Sequence, residues 1–273
     1  MTRPPLNKDT TLCISLAARP SNIGTRFHNY LYDRLGIDFI YKAFTTTDIA
    51  AAIGGVRALG IRGCSVSMPF KEDVIALVDE VEPSARAIHS VNTIVNDGGV
   101  LTAANTDYIA IERLIAQHGL RPEQSVLIHG SGGMASAVGS AFRDHGFHDG
   151  IVVARNETAG PALAERLGYH WRHHVGGAAA SIIVNVTPVG MAGGAEEHDT
   201  PFAAETIAAA DTVFDVVALP SETPLIAAAR AAGVKVITGA EVIALQAAEQ
   251  FERYTGVRPT DEQVAEASAV SRA

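Results

Sequence analysis

The chain has 273 residues, 47% of them hydrophobic and 19% charged, enough apolar content for one large core or two smaller ones and too much for a disordered chain. Its 21 Lys and Arg stand against 30 Asp and Glu, a formal net charge of −9, which excludes a broad basic face for nucleic acid but leaves room for a local anion pocket. The two cysteines, Cys13 and Cys64, sit in apolar runs, so neither a disulfide scaffold nor a cysteine-rich metal centre is expected. No apolar core follows Met1-Thr2-Arg3-Pro4-Pro5, and no run approaches the ~20 apolar residues of a membrane span. The expectation is a cytoplasmic globular protein that takes neither nucleic acid nor a membrane as partner.

In chain order, short β-branched runs alternate with stretches of helical period, the pattern of parallel strands covered by helices. Strands are predicted at 12–16, 39–44 and 63–67, with a helix between the last two that Thr47 caps and Gly60 stops. Residues 92–96 and 100–104 read as a hairpin turned by Asp97-Gly98-Gly99, and a helix is predicted from Asp107 to about His118. A second series then begins: strand 126–129, helix 132–145, strand 151–154, helix 159–167, strands 182–186 and 212–217, helix 224–232 and strand 234–237. Residues 239–254 and 261–271 read as helices. The fold class expected is α/β, with an N-terminal α/β domain formed by residues 1–104 and 239–273 and a dinucleotide-binding domain with a parallel sheet over 105–238.

Strand 126–129 runs straight into Gly130-Ser131-Gly132-Gly133-Met134-Ala135, a G-x-G-x-x-A turn that opens a helix. The first glycine allows the tight turn, the second lets backbone approach a pyrophosphate, and the small Ala135 lets helix and strand pack closely. At the end of the next strand, where an NAD site needs a carboxylate for the ribose 2′-hydroxyl, the chain has Arg155-Asn156. A guanidinium there suits a 2′-phosphate, so NADP is the expected cofactor. His170, His173 and His174 surround Trp171, but their spacing is not that of a metal site, and no metal is expected. Hydrolase, zinc-protease and P-loop signatures are absent from the sequence.

Ser65-Val66-Ser67-Met68-Pro69-Phe70-Lys71, Ser90-Val91-Asn92-Thr93, Asn105-Thr106-Asp107 and the glycine turn occur in the order and spacing of one family. With Asn185 to Met191, Asp215, Pro220, Thr223-Pro224 and Gln246, they make the chain resemble the shikimate dehydrogenases over nearly its whole length. The resemblance implies an N-terminal substrate domain, a Rossmann NADP domain and C-terminal helices returning to the first. The family reaction is the reversible NADPH-dependent reduction of 3-dehydroshikimate to shikimate, a step of the shikimate pathway of aromatic amino acid biosynthesis.

Carried over residue by residue, the resemblance makes Lys71 and Asp107 the catalytic pair and places Ser67, Asn92 and Gln246 on the substrate. It places Thr187, Val216 and Gly239, beside the 130–135 turn, Arg155 and Asn156, on the cofactor. On their own chemistry, Lys71 stands where a helix is expected to start, the unfavourable end for a cation, and Asp107 suits an N-cap. Neither reading excludes acid–base work at a substrate hydroxyl.

The chain departs from the family pattern at the substrate carboxylate. Where the family has Ser-x-Ser before Pro-x-x-His-Asn, this sequence has Asn22-Ile23-Gly24-Thr25 before His28-Asn29. Ser21 and Thr25 are the nearby hydroxyls that could substitute, Asn22 and Thr25 are expected on the substrate, and Arg19 and Arg26 flank them. Ala218, Ser65 and Ala104 replace a tyrosine, an asparagine and a glycine. The pattern is that of the shikimate 5-dehydrogenase-like paralogues, with weak activity on shikimate and a related cyclic hydroxy acid as the partner molecule. The assembly expected is a monomer or homodimer. The competing expectations are a non-catalytic NADP-binding sensor or regulator on the same scaffold, and an interaction protein with a vestigial pocket.

Overall fold

The computed structural model describes residues 2–272. They form two compact units, one running through Ile109 and resuming at Ala244, the other Ala110–Ile243. The division falls inside two helices, α4 (Thr106–Gln117) and α9 (Gly239–Thr255).

The first unit is built on a six-stranded sheet of β1 (Thr11–Ala17), β2 (Phe39–Thr45), β3 (Gly63–Val66), β4 (Glu80–Val81), β5 (Thr93–Asp97) and β6 (Val100–Ala104), in the order β2-β1-β3-β5-β6-β4. Strands β1, β2 and β3 are parallel, whereas β5 runs antiparallel to β3 and pairs with β6 as the hairpin the Asp97-Gly98-Gly99 turn predicts. Both sheet faces are buried, which is why β1 reads as a continuous apolar run. Ile14 and Leu16 pack with Ile53 and Val56 of α2 (Ile49–Ala58), while Cys13 turns to Phe27 and Leu31 of α1 (Ile23–Leu35) and Phe251 and Tyr254 of α9. The last helix of the unit, α10 (Asp261–Arg272), adds Ala267 to that second face.

Two local expectations are corrected. The cap of α2 is Asp48, whose carboxylate accepts from the Ala51 N–H at 2.9 Å, because its backbone is extended and Thr47 lies one residue too early. No α-helix starts at Lys71. Ser67 to Phe70 close a turn, and a 3₁₀ segment follows at Asp73–Leu77, so the lysine meets no helix dipole. A four-residue helix, α3 (Pro83–Arg86), precedes β5.

The second unit has six parallel strands, β7 (Val126–His129), β8 (Gly150–Val153), β9 (His170–Arg172), β10 (Ile182–Asn185), β11 (Thr212–Asp215) and β12 (Lys235–Thr238). Their order, β12-β11-β10-β7-β8-β9, is the doubly wound order in which the first strand stands beside the fourth. Helices α5 (Gly133–Asp144), α6 (Ala159–Leu167), α7 (Ala204–Ala208) and α8 (Pro224–Ala231) connect them. In such a sheet the ligand crevice lies beyond the carboxyl ends of the strands at the reversal of order, here β7 and β10. Buried Asp215 ties the reversal half together, accepting from Asn185 Nδ2 at 3.0 Å, Val217 N at 3.1 Å and Thr223 Oγ1 at 2.6 Å.

Candidate active site

In the first unit, Lys71 Nζ donates to Asp107 Oδ2 at 2.7 Å, with the two side chains 30% and 13% exposed. The pair is thus partly withdrawn from water but open enough to meet a ligand. Asp107 stands in the first turn of α4, and the cap expected of it is supplied by Asn105, whose Oδ1 accepts from Tyr108 N at 3.0 Å. The carboxylate is therefore released from helix capping to face the lysine. The Lys71 carbonyl accepts from Val91 N at 2.8 Å, which anchors the turn carrying the cation beside β5.

Asn92 joins these two segments. Its side chain is 3% exposed, and its Oδ1 accepts from Thr106 N at 2.8 Å, Thr93 Oγ1 at 2.8 Å and Thr106 Oγ1 at 3.1 Å. The oxygen is committed to the start of α4, which leaves the amide N–H groups for a ligand. The same Thr106 hydroxyl lies 3.3 Å from Gln246 Oε1, so its one proton is shared between the two amide oxygens. Behind them runs a relay that the sequence reading missed: Gln250 donates to Thr93 Oγ1 at 3.0 Å and accepts from Ser65 Oγ at 3.1 Å, and Ser65 meets Tyr41 and Tyr254 hydroxyls at 2.8 and 3.0 Å. Only the glutamine's i+4 spacing from Gln246 on α9 hinted at it. Ser67 is exposed at the end of its strand.

At the altered loop, Asn22 is exposed and is the N-cap of α1, but its side chain makes no cap hydrogen bond. Gly24 lies over the Tyr41 ring, where an added Cβ would sit 3.5 Å from the Tyr41 hydroxyl oxygen. Thr25 Oγ1 is buried without a hydrogen-bond partner.

In the second unit, a groove of about 800 Å³ opens at the carboxyl ends of β7, β8 and β10. Gly130, Ser131, Gly132, Arg155, Asn156 and Thr187 line it, as do His129, His173, His174, Glu196 and Asp199. The two turn glycines have different causes. Gly130 has φ +131° and a Cβ there would stand 2.7 Å from Val186 Cγ2, so the fold itself requires glycine. Gly132 has φ −83° with nothing within 4 Å of an added Cβ, so the fold tolerates a side chain that would fill the groove. Gly132 also caps α5 with no side chain to satisfy the first-turn N–H groups, which stay available to an anion. These features fit a dinucleotide pyrophosphate.

Gly133 and half-buried Met134 begin α5, and Ala135 is fully buried in it. Asn156 Oδ1 accepts from Thr158 N and Ala159 N at 2.9 and 2.8 Å, capping α6 and leaving its amide nitrogen free. Thr187 Oγ1 is held by Asn185 Oδ1 at 2.6 Å. Val216 and Gly239 do not line this groove; they meet each other, the glycine lying against the Val216 carbonyl with no room for a Cβ. Burial, aided by the Arg155 charge, pushes the His129 imidazole below its ordinary pKa, and its Nδ1 is buried without a partner. Among the described residues no group of three or more His, Cys, Asp or Glu could hold a metal ion, and no helix is long and apolar enough to cross a membrane.

A doubly wound unit with a glycine turn and an α/β unit carrying a lysine–carboxylate pair, in one chain, share the build of dinucleotide-binding proteins. Residues 22–94 match the shikimate dehydrogenase substrate binding domain. A shikimate dehydrogenase-like protein of Haemophilus influenzae is 58% identical, over 98% of each chain. The shikimate dehydrogenase (NADP(+)) of Chlorobium phaeobacteroides is 36% identical, over 87% of this chain and 88% of that one. The solved shikimate 5-dehydrogenase of Thermus thermophilus, in complex with NADP(H) and shikimate, superposes with TM-score 0.85 at 28% identity, covering 96% of this chain and 99% of that one. The chain belongs to the shikimate dehydrogenase family.

Proposed function

We propose that the protein is an NADP-dependent oxidoreductase that interconverts shikimate, or a closely related cyclic hydroxy acid, with its 3-dehydro ketone. The observation that carries the reading is the 2.7 Å Lys71–Asp107 pair beside two amides whose oxygens meet Thr106. NADP, when bound, supplies the acceptor or donor of hydride. Everything else falls to the chain. The first-turn N–H groups of α5 meet pyrophosphate, and Arg155 meets the 2′-phosphate. Asn92 and Gln246 donate to ring hydroxyls and fix which carbon is presented. As the alcohol is oxidised, its hydroxyl proton passes to Lys71 Nζ in its neutral amine form, which Asp107 holds in place, giving the ammonium; in reduction that ammonium returns the proton and is left as the amine.

At the acid end of the substrate, Asn22 and Gly24 stand in place of two hydroxyls. Each lost hydrogen bond to a carboxylate is worth ~1.5–3 kcal/mol, so turnover of shikimate is expected to be weak. Steady-state kinetics with NADP on shikimate and quinate test this. Lys71→Ala is expected to lower kcat by roughly 10²- to 10⁴-fold with cofactor affinity unchanged. Unchanged kcat in that variant would remove the lysine from the chemistry. Tight NADP binding with no turnover of any cyclic hydroxy acid would favour the sensor reading, and biosynthetic-level turnover of shikimate would refute the altered acid end.

A further inference from the structure

The groove of the second unit is poor in fixed positive charge. Of the residues that line it, Arg155 is the only Lys or Arg, against Glu196 and Asp199, and Glu157 stands two residues beyond the arginine. A phosphate monoester carries about −1.5 to −2 at neutral pH, so one guanidinium amid three carboxylates leaves it undercompensated. The other groups of the groove that can take up positive charge are imidazoles. His129 is pushed toward its neutral form by burial and by Arg155. His173 and His174 remain.

Topology puts these two where the charge is needed. Strands β7, β8 and β9 are adjacent and parallel, so their carboxyl ends share one edge. Gly130 follows β7, Arg155 closely follows β8, and His173-His174 follow β9. The edge is locked by the register Val153↔Arg172 and by the Trp171 indole N–H donating to the Ala154 carbonyl at 3.3 Å. His173 Nδ1 and His174 Nε2 are 2.9 Å apart, a hydrogen bond in which one ring donates to the other. His173 Nε2 stands 3.7 Å from Glu157 Oε1. The charged and titratable groups around the pair are therefore Arg155 and Glu157 after β8, His129 at the end of β7, and Glu196 and Asp199 from the segment after β10.

We infer that His173 and His174 complete, with Arg155, the seat of the dinucleotide's 2′-phosphate, and that this pair sets the preference for the phosphorylated over the unphosphorylated cofactor. The inference rests on the NADP reading above and assigns residues to it. The ring–ring hydrogen bond holds both imidazoles at the edge beside Arg155 and leaves His173 Nε2 and His174 Nδ1 outside it, available for further polar contacts.

The test measures dissociation constants of NADP+ and NAD+ at pH 6 and pH 8 by calorimetry, with quenching of Trp171, the single tryptophan, as a second signal. Wild type is compared with the double variant His173→Gln/His174→Gln and with Arg155→Ala, each checked for an unchanged melting temperature. The double variant is expected to bind NADP+ roughly tenfold more weakly with NAD+ affinity unchanged, the size of one lost charged hydrogen bond. Equal weakening of both dinucleotides would mean that the rings lie on the adenine and would overturn the inference, as would an unchanged ratio at both pH values. If wild type prefers NADP+ in either case, the NADP reading stands while the histidine assignment falls. If wild type binds neither dinucleotide, both fall together.

Discussion

His28 shows how one side chain can tie the first unit to a pH range. It is fully buried, stacked 4.4 Å from the Tyr41 ring and 6.1 Å from Phe251, and neither ring nitrogen has a hydrogen-bond partner. Burial pushes its pKa down from 6.5 to about 3, and nearby Gln250 offsets only a little of that. The folded state therefore holds the neutral ring, while the unfolded chain takes up a proton near pH 6.5. The stability this ring contributes is complete above pH 6.5 and is lost as pH falls toward 3, by on the order of 4–5 kcal/mol across the full interval. His28→Phe keeps a stacked ring without the titration. Urea midpoints at pH 7.5 and 5.0 should show wild type losing ground that the variant keeps, about 1.4 kcal/mol per pH unit below pH 6. Parallel losses in both proteins would show that the ring does not titrate with unfolding.

At the scale of elements, the β7–turn–α5 connection separates what glycine does for the fold from what it does for a ligand. Gly130→Ala puts a Cβ into Val186 and asks a non-glycine residue to hold φ +131°, so a loss of roughly 1–3 kcal/mol of stability is expected together with weaker NADP binding. Gly132→Ala has open space and an ordinary φ, so its melting temperature should match wild type while NADPH fluorescence titration shows weakened affinity. A Gly132→Ala protein that bound as wild type would mean that no ligand approaches this turn. The contrast also explains what could be read in advance. The turn, five of the six strands of the second unit and the Lys71 and Asp107 positions were legible because each leaves a local mark: glycine spacing, β-branched runs, short motifs; β9, three residues long, leaves none. The cap of α4 was misassigned because Asn105 and Asp107 are equally good caps, and only the Lys71 contact decides between them. The relay through Thr93, Ser65 and Gln250 was invisible, since it joins residues up to 185 positions apart whose individual types are unremarkable. Val216 and Gly239 were placed on the cofactor by resemblance, whereas the contact between them is what the structure displays.

For the molecule as a whole, a net charge of −9 means that any anion it holds must be met by local groups. The dinucleotide groove supplies Arg155, imidazoles and helix N–H groups. In the loop proposed to meet the acid end of the substrate, Asn22 is exposed, Thr25 Oγ1 is buried, and Gly24 presents no side chain. Restoring hydroxyls there asks what this loop contributes relative to the chain's shikimate dehydrogenase relatives. Asn22→Ser removes a side chain that makes no cap hydrogen bond and puts a favoured N-cap type in its place, and Gly24→Ser adds a Cβ at an ordinary 3.5 Å contact while improving helix propensity by ~0.5 kcal/mol, so the fold should accept both. Two recovered hydrogen bonds to a carboxylate, even at half strength, should raise kcat/KM on shikimate by at least roughly tenfold. The gain must depend on the carboxylate: a cyclic polyol of the same ring without the acid should show no increase. An equal gain on both substrates would assign the loop to ring packing, and no gain on either would move the acid-binding function away from residues 22–25.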